Sequence, residues 1–481
     1  MAGNGRAIAV DVVNGRNVLG LLLATVLAVV GGALAAISTQ AAVTLALLVL
    51  LLAVRTQSRT AGLGLLWTYW LLAPLVRRTL DLATAAPGAD PISLLPFLGT
   101  GLLAVMELRE NRLDRRARWI LALAGGGVLL GVPVGMMEDP EAATFAMLAY
   151  GAAVSALVIG WGDGVRPEGS ILHKTLIAAL LPLSAYAIVQ YFFPLPSWDA
   201  HWVNQEDGLS SLNAPQEDHI RIFSSLNSPF TFAIVLATGI LMGLGLKRRF
   251  RQALLMSAPV IVALALTYMR SVWLGLAVGV IVFVFAARGR ASARVVAIVA
   301  ACLVAVVVVG DSHPTTRAFT ERVTSLGDPE KDVSFQDRLE RTNQLLPTAV
   351  GRPLGGGSGQ AGLASERLGG TTDEFLVNVD NGYLSLLYQS GPFGFAMTVA
   401  ALLLALGAAV RALGMATEGE RQQRAALLAT LAMLLVTLAA ADVLFGLPGA
   451  ILWYVCGLAA AYARAAPPRG GPDRPSAALS G

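Results

Sequence analysis

The chain has 481 residues, of which 55% are hydrophobic and only 14% are charged, and its mean hydropathy is +0.65. Soluble domains carry about a quarter charged residues, so a chain this apolar has too few polar side chains to cover itself in water. The lipid bilayer is the solvent that this composition fits. The net charge of +4 is too small to indicate a nucleic-acid partner. The two cysteines lie inside apolar runs and the four histidines have no metal-ligand spacing, which argues against a metal site.

Transmembrane helices account for most of the chain. A helix that crosses a bilayer needs about 20 mostly apolar residues. Fourteen runs approach that length, at residues 18–37, 41–54, 62–76, 92–106, 119–136, 143–161, 172–193, 230–246, 253–269, 272–287, 295–310, 393–410, 425–442 and 447–463. The sequence therefore predicts an all-α polytopic membrane protein with about fourteen transmembrane helices. The prolines within residues 62–106 leave a re-entrant segment open as an alternative there.

The distribution of basic residues sets the orientation of these helices. With the N-terminus in the cytoplasm, the cytoplasmic segments hold 24 of the 35 lysines and arginines. Of the others, only Arg77 and Arg78 fall in a short outer loop. The reversed topology would put the basic clusters outside. We therefore expect both termini in the cytoplasm, and any active site on the extracytoplasmic face.

Two outer segments are too long to be plain connectors. The predicted organisation is an N-terminal transmembrane bundle (1–193), a first extracytoplasmic loop (194–229), central transmembrane helices (230–310), a large extracytoplasmic loop (311–392), C-terminal transmembrane helices (393–464) and a disordered cytoplasmic tail (465–481). Within the large loop we predict helices over 335–350 and 380–389. The glycine-rich stretch 355–370 between them is predicted to be mobile.

Two arginines lie where a membrane-anchored phosphate would be. Arg270 separates two apolar runs almost without a connector, so it lies at the outer membrane boundary. Its guanidinium fork suits a phosphate, although a snorkelling interfacial arginine explains the position equally well. Arg221 precedes Ser228 and Pro229, which are typical of the start of a helix, and such a start favours an anion. The alternative for Arg221 is a solvated loop charge.

The large loop combines basic residues, glycines and a candidate base. Its arginines include Arg338, Arg341 and Arg352, and glycines are frequent over 355–359. Glycines let a backbone approach a ligand closely, or leave a loop flexible. Asp380 suits a general base if it is partly buried, and a helix cap or a solvated charge is the alternative. The middle of the predicted spans carries no ionisable residue, which argues against an ion-coupled transporter.

In four places the chain resembles the O-antigen polymerase and O-antigen ligase superfamily, which includes the Wzy-like polymerases of bacterial lipid-linked glycans. The matching segments are residues 221–233, 267–274 (Thr-x-x-Arg-x-x-Trp-Leu), 338–357 (Arg, then Pro-Leu-x-Gly-x-Gly) and 380–384 (Asp-Asn-x-Tyr-Leu) followed by 391–394. The resemblance covers about residues 215–400. It implies a GT-C-like membrane fold and an inverting, metal-independent glycosyltransferase without a cofactor. The donor would be a glycan on undecaprenyl pyrophosphate, whose lipid lies in a groove between helices.

The resemblance also implies roles for individual residues. Arg270 and Arg338 would bind the pyrophosphate and stabilise its charge as the sugar–phosphate bond breaks. Asp380 would take the proton of the acceptor hydroxyl. The remaining substrate-binding residues would be Arg221, Arg341, Arg352, Asn381 and Tyr383. For the last two, a packing role is the alternative.

Two positions depart from the superfamily pattern. Ligases carry a histidine where this chain has Asp380, which favours a polymerase, and an aromatic residue is often found where this chain has Thr342. A ligase-type transferase to another acceptor, a lipid-linked glycan flippase or transporter, and a non-catalytic partner in glycan assembly remain the rival interpretations. The expected partners are the lipid-linked oligosaccharide, membrane lipids, and a chain-length regulator or flippase. Asp337, Glu340 and Asp373 are the other candidates for the base.

Overall fold

The structure is a computed structural model. It describes residues 39–84, 91–166, 169–205, 220–245, 250–288, 333–362, 365, 376, 379 and 381–464. The predicted spans at 18–37 and 295–310, the tail 465–481 and Asp380 lie outside the described residues.

The regular elements of this part of the chain are helices. The first eight are α1 (Thr39–Gln57), α2 (Arg59–Thr84), α3 (Pro91–Glu110), α4 (Arg115–Leu129), α5 (Val132–Glu138), α6 (Pro140–Gly164), α7 (Ile171–Phe192) and α8 (Ser197–Gln205). The others are α9 (Pro229–Leu244), α10 (Phe250–Leu266), α11 (Arg270–Ala287), α12 (Val333–Gly351), α13 (Gly382–Gly414), α14 (Arg421–Leu438) and α15 (Gly446–Tyr462).

The all-α, polytopic prediction is confirmed. Each predicted span within the described residues coincides with a helix. Seven helices of this part are long and apolar enough to cross a membrane, counting α4 and α5 as one, and α9 and α15 are shorter apolar helices. The short runs at 62–76 and 92–106 belong to α2 and α3, which have 26 and 20 residues. α3 is one of the seven candidate spans, whereas α2 is long enough to cross the bilayer at about 1.5 Å per residue but is not among the seven.

Helix pairing divides the bundle into two ends. α6 and α15 run in the same direction, because Gly160 lies against Tyr454 and Gly164 against Ala461. α4 and α13 run in opposite directions, because Gly131 lies against the carbonyl of Gln389 while Gly127, further back along α4, lies against later residues of α13. The residues 55–59, 107–118, 163–170 and 415–424 form one end, which we call the basic end. The residues 131–140, 193–205, 220–229, 267–270, 352–362, 376, 379, 381–390 and 439–446 form the other, the loop end.

A buried ion-pair network holds the basic end together. The Glu107 carboxylate, whose side chain is fully buried, lies 3.1 Å from the Arg55 guanidinium, 2.7 Å from that of Arg59 and 2.8 Å from that of Arg166. Arg59 also pairs with Asp163 at 2.8 Å. The network joins α1, α2, α3 and α6. Since removal of one partner leaves a buried charge unpaired, such a network ties helices together strongly.

The prediction that Arg78 lies in a short outer loop is wrong. Arg78 is inside α2 and fully buried, with its Nε 3.0 Å from an oxygen of Asp199. Its Nη2 donates to the Ser224 carbonyl at 2.9 Å, and its guanidinium lies over the rings of Trp202 and Phe223. The basic-residue count treated this arginine as exposed because it follows an apolar run. Its partners come from α8 and the residues before α9, so Arg78 fastens the first long loop to the bundle.

Candidate active site

Arg270 lies at the turn of the helical hairpin that α10 and α11 form, which we call the arginine hairpin. Thr267 donates its hydroxyl to the Leu264 carbonyl at 2.6 Å, and the indole of Trp273 donates to the same carbonyl at 3.1 Å. Between them, Tyr268 is buried and has a φ of 54°, which is uncommon for a residue with a side chain. Backbone in this region costs about 1–3 kcal/mol and persists where the surroundings enforce it. The Thr-x-x-Arg-x-x-Trp pattern is therefore a turn that presents the partly buried Arg270 at the first position of α11.

Arg221 lies in the ordered connection before α9. The residues that follow it, 222–226, are all buried. Ser228 and Pro229 form the helix start that the sequence predicts, with the Ser228 hydroxyl accepting from the Thr231 amide at 3.5 Å. Arg221 is itself partly buried at the loop end. Its phosphate role stays a prediction.

The predicted helix at 335–350 is confirmed as α12. Leu345 is buried in a cluster with Ala361, Val379 and Leu384, so α12 packs on the segment that flanks Asp380. Arg341 is four residues before Leu345 and is partly buried, so it continues the same face of the helix. The backbone position of Arg338, one turn earlier, lies on that face too. The side chain of Arg338 lies outside the described residues.

The glycine-rich stretch is packed over residues 355–362, contrary to the mobility that the sequence predicts. This glycine loop is buried almost throughout. The amide of Ser358 donates to the Gly131 carbonyl at 2.9 Å, and that of Gly356 to the Tyr388 carbonyl at 2.6 Å. A Cβ at Gly357 would lie 2.7 Å from the Cα of Gly135, so only glycine fits. The loop occupies the break between α4 and α5, and its glycines permit contact with backbone there.

Several polar side chains beside this loop have no hydrogen-bond partner among the described residues. They are the hydroxyls of Ser358 and Ser365 and the Nε2 of Gln360. Ser358 and Ser365 are almost fully buried. A buried polar group without a partner costs about 1–3 kcal/mol, so a polar ligand at this loop gains by pairing with these groups. Arg352, at the start of the loop, extends over the Tyr388 ring with its guanidinium carbon 6.0 Å from the ring centre.

The Asn-x-Tyr motif starts α13. The Asn381 side chain caps this helix by accepting from the amides of Tyr383 at 3.0 Å and Leu384 at 3.2 Å. The Tyr383 hydroxyl donates to the Leu435 carbonyl of α14 at 3.1 Å. Both side chains have structural contacts, and their binding of sugar stays a prediction. As the sequence predicts, a helix break follows at Gly391, where φ is 67°.

The end of α14 brings the arginine hairpin and the Asn-x-Tyr motif together. Thr437 of α14 contacts Gly275 of α11, and Leu438 contacts Gly382 of α13. Gly275 is five residues from Arg270, which corresponds to about 7.5 Å along a helix. Arg270 and the neighbours of Asp380 therefore lie at the same corner of the loop end.

Three residues at this corner were not singled out as site residues by the sequence. The Tyr150 hydroxyl donates to Asp442 Oδ2 at 3.0 Å, and Gln389 Nε2 donates to the Tyr150 hydroxyl oxygen at 3.1 Å. Asp442 lies in the turn between α14 and α15, and burial raises its pKa to about 6. These residues belong to three separate helices or turns and are far apart in the sequence. No local spacing signals the cluster, although an acidic residue in a short outer turn is a visible signal.

An apolar cavity of about 460 Å³ lies between α3, α4 and α6. Its lining includes Gly101, Gly125 and Gly151, one from each helix, and at each of these a Cβ would meet nothing within 4 Å. The volume is in the range of small-molecule sites, about 300–1,000 Å³. Val128 and Leu129, at the loop end of α4, form the part of the lining nearest the glycine loop. The cavity suits an aliphatic chain.

The comparison with protein families gives one match. Residues 253–399 match the family model described as O-antigen ligase. The matched segment begins in α10, includes the arginine hairpin, α12 and the glycine loop, and ends in α13. A comparison with proteins of curated function gives no match.

Proposed function

We propose that the chain, whose residues 253–399 match the family model described as O-antigen ligase, is a glycan polymerase of the membrane. In this proposal it joins oligosaccharide repeat units that are linked to undecaprenyl pyrophosphate. The reaction takes place at the outer face of the bacterial inner membrane, which corresponds to the loop end. The fourteen-helix count, the cytoplasmic termini and the GT-C-like arrangement are part of the proposal.

One observation carries this proposal. Arg270, in the turn of the arginine hairpin, lies at the corner of the loop end that also contains the two described neighbours of Asp380. A fixed guanidinium and a carboxylate base are the two groups that transfer from a pyrophosphate donor requires. Strained backbone at Tyr268 supports a functional turn, since strain of this kind clusters at active sites.

The proposed reaction is a single inverting displacement. A hydroxyl oxygen of the acceptor attacks the anomeric carbon of the donor sugar, and the bond from that carbon to the phosphate oxygen breaks. The electron pair leaves with the pyrophosphate, whose charge Arg270 and Arg338 stabilise with help from Arg221. The proton of the hydroxyl passes to Asp380. The leaving group is stabilised by arginines alone in this scheme, so no metal ion takes part.

The apolar cavity supports a lipid-linked substrate. It is an open groove between α3, α4 and α6, it is lined by apolar and small residues, and its loop-end side is next to the glycine loop. A prenyl chain in this cavity would leave its pyrophosphate at the loop end. The buried polar groups of the glycine loop would then pair with pyrophosphate or sugar.

The test is an assay with the purified full chain. We would supply undecaprenyl-pyrophosphate-linked oligosaccharide from the host, with EDTA and without nucleotide, and separate the products on a gel. A ladder of longer glycans is expected, and it should vanish in Arg270→Ala and Asp380→Ala. Arg464→Ala, an exposed arginine at the basic end, is the matched control and should keep the ladder.

The other outcomes distinguish the rival functions. A single shifted product that requires a second acceptor would replace the polymerase with a ligase-type transferase. Bound lipid without any product would favour the flippase, and a transport assay in vesicles would follow. An unchanged ladder in both site variants would contradict the assigned roles of Arg270 and Asp380.

A further inference from the structure

A directional chain of hydrogen bonds crosses the loop end. The Gly359 amide donates to Gln389 Oε1 at 2.9 Å, Gln389 Nε2 donates to the Tyr150 hydroxyl at 3.1 Å, and that hydroxyl donates to Asp442 at 3.0 Å. Every donor points toward the carboxylate. Hydrogen bonds aligned in this way polarise and strengthen one another. Within the described residues this relay, Gly359–Gln389–Tyr150–Asp442, links the glycine loop to the turn before α15.

The relay has no spare hydrogen-bonding capacity at its centre. The second hydrogen of Gln389 Nε2 goes to the Ser385 hydroxyl at 2.9 Å. The other oxygen of Asp442 accepts from the Leu444 amide at 2.9 Å. In its ionised form Asp442 accepts from one donor at each oxygen, the Tyr150 hydroxyl and the Leu444 amide.

Both ends of the relay lie next to the segment that carries Asp380. At one end, the Gly362 amide of the glycine loop donates to the Leu376 carbonyl at 2.8 Å, and Ala361 packs with Val379. At the other end, a Cβ at Gly382 would lie 3.1 Å from the Cα of Asp442. The residues before and after Asp380 are thus each fixed by one end of the relay.

We propose that Asp442 is a positioning residue of the transfer reaction. Its carboxylate orients Tyr150 and Gln389, and these hold the glycine loop. The loop in turn keeps the described neighbours of Asp380 in the geometry that the reaction requires. The inference rests on the proposed function, since it assigns a role in that reaction. It adds a residue outside the matched segment 253–399, in a turn that the family match does not cover.

The role is tested by kinetics on two variants that break the same relay. In Asp442→Asn the new amide faces the Leu444 or the Tyr150 donor, and in Tyr150→Phe the hydroxyl is lost while the ring keeps its contact with Phe445. A misplacement of about 1 Å can cost about 100-fold in rate, so kcat should fall about 10- to 100-fold in each variant. KM for the lipid-linked donor should stay within about threefold, because the binding arginines are untouched.

Two further measurements separate positioning from stability. The double variant should be no slower than the slower single variant, because both changes break one chain of contacts. Tyr69→Phe is the matched control: its hydroxyl donates to the Leu47 carbonyl at 2.9 Å between two helices, and its loss should leave kcat unchanged. The melting temperatures of all variants would be measured in the same detergent.

Each result bears on the inference. Wild-type kcat in Asp442→Asn and in Tyr150→Phe would overturn it while leaving the proposed function intact. Unfolding of both variants, or a fall in kcat that matches that of Tyr69→Phe, would contradict the inference. It would show that the relay has only a structural role. Rates that fall in multiplicative steps in the double variant would show that the two residues act separately. A wild-type protein without any product would overturn the proposed function, and this role with it.

Discussion

The two ends of the bundle use polar residues in opposite ways. At the basic end, the buried carboxylates of Glu107 and Asp163 are paired with nearby arginines. At the loop end, Tyr268 and Ser224 have left-handed backbone, and the buried Ser358 hydroxyl has no hydrogen-bond partner in the described part of the chain. Saturated pairing stabilises a fold, whereas strain and unpaired groups cost stability. The buried carboxylates therefore tie helices together at the basic end, whereas the loop end carries the strained turn that presents Arg270.

The largest effect should come from Asp380→Asn. The amide cannot take a proton, and general-base catalysis contributes about 10²- to 10⁴-fold, so transfer should slow by that factor. Donor binding should persist, measured by retention of radiolabelled lipid-linked oligosaccharide. Loss of binding with a normal transfer rate would remove Asp380 from the role of base and direct attention to Asp337, Glu340 or Asp373.

The basic end is tested by Glu107→Ala. Three arginines lose their buried partner, so the free energy of unfolding should fall by about 3–5 kcal/mol, seen as a lower melting temperature in detergent. The activity per folded molecule should be unchanged. A variant that keeps its melting temperature but loses activity would contradict the division between the two ends.

Arg270→Lys tests whether the loop end binds a phosphate through the planar guanidinium of Arg270. A lysine keeps the charge but not the planar fork, so it does not hold a phosphate at two points. We expect a loss of about 10²- to 10³-fold in kcat, similar to removal of one oxyanion donor, with the melting temperature unchanged. Arg338→Lys should behave alike. Full activity in both variants would exclude the pyrophosphate role.

The smallest effect should be the pH dependence of stability that Asp442 contributes. Burial raises its pKa to about 6, above the value of about 3.9 in an unfolded chain. The group therefore favours the fold fully below pH ~4, and this contribution of about 1–3 kcal/mol is lost as the pH rises through ~6. Tyr150, the titratable side chain described against it, stays protonated throughout, and Gln389 is neutral.

The measurement compares the melting temperatures of wild type and Asp442→Asn between pH 5 and pH 8. The variant lacks the titration, so its melting temperature relative to wild type should rise with pH. Glu420→Gln, at an exposed turn of the basic end, is the control with a titrating carboxylate far from the relay. A constant difference across the range would show that Asp442 has an ordinary pKa.

Sequence reasoning found the helices because apolar length is a local property. It also found the turn at Arg270, the helix start at Ser228 and the break at Gly391, since each depends on a few adjacent residues. It misplaced Arg78, whose partner Asp199 is more than a hundred residues away. It read residues 355–362 as mobile for the same reason: the backbone that those glycines contact belongs to α5, α6 and α13. Pairings between distant segments leave no trace in local composition.

The packing of α15 has a consequence for biogenesis. Nearly all residues of this last helix are buried, and Tyr454 lies against Gly160 of α6, roughly 290 residues earlier in the chain. At a synthesis rate of about 5–20 residues per second, α6 waits about 15–60 s for this partner. During that interval its small-residue face is open to lipid or to another protein. Because of this order of synthesis, we expect membrane chaperones to bind the first half of the chain transiently. Truncation before residue 446 removes α15, so the truncated chain should be degraded by proteases.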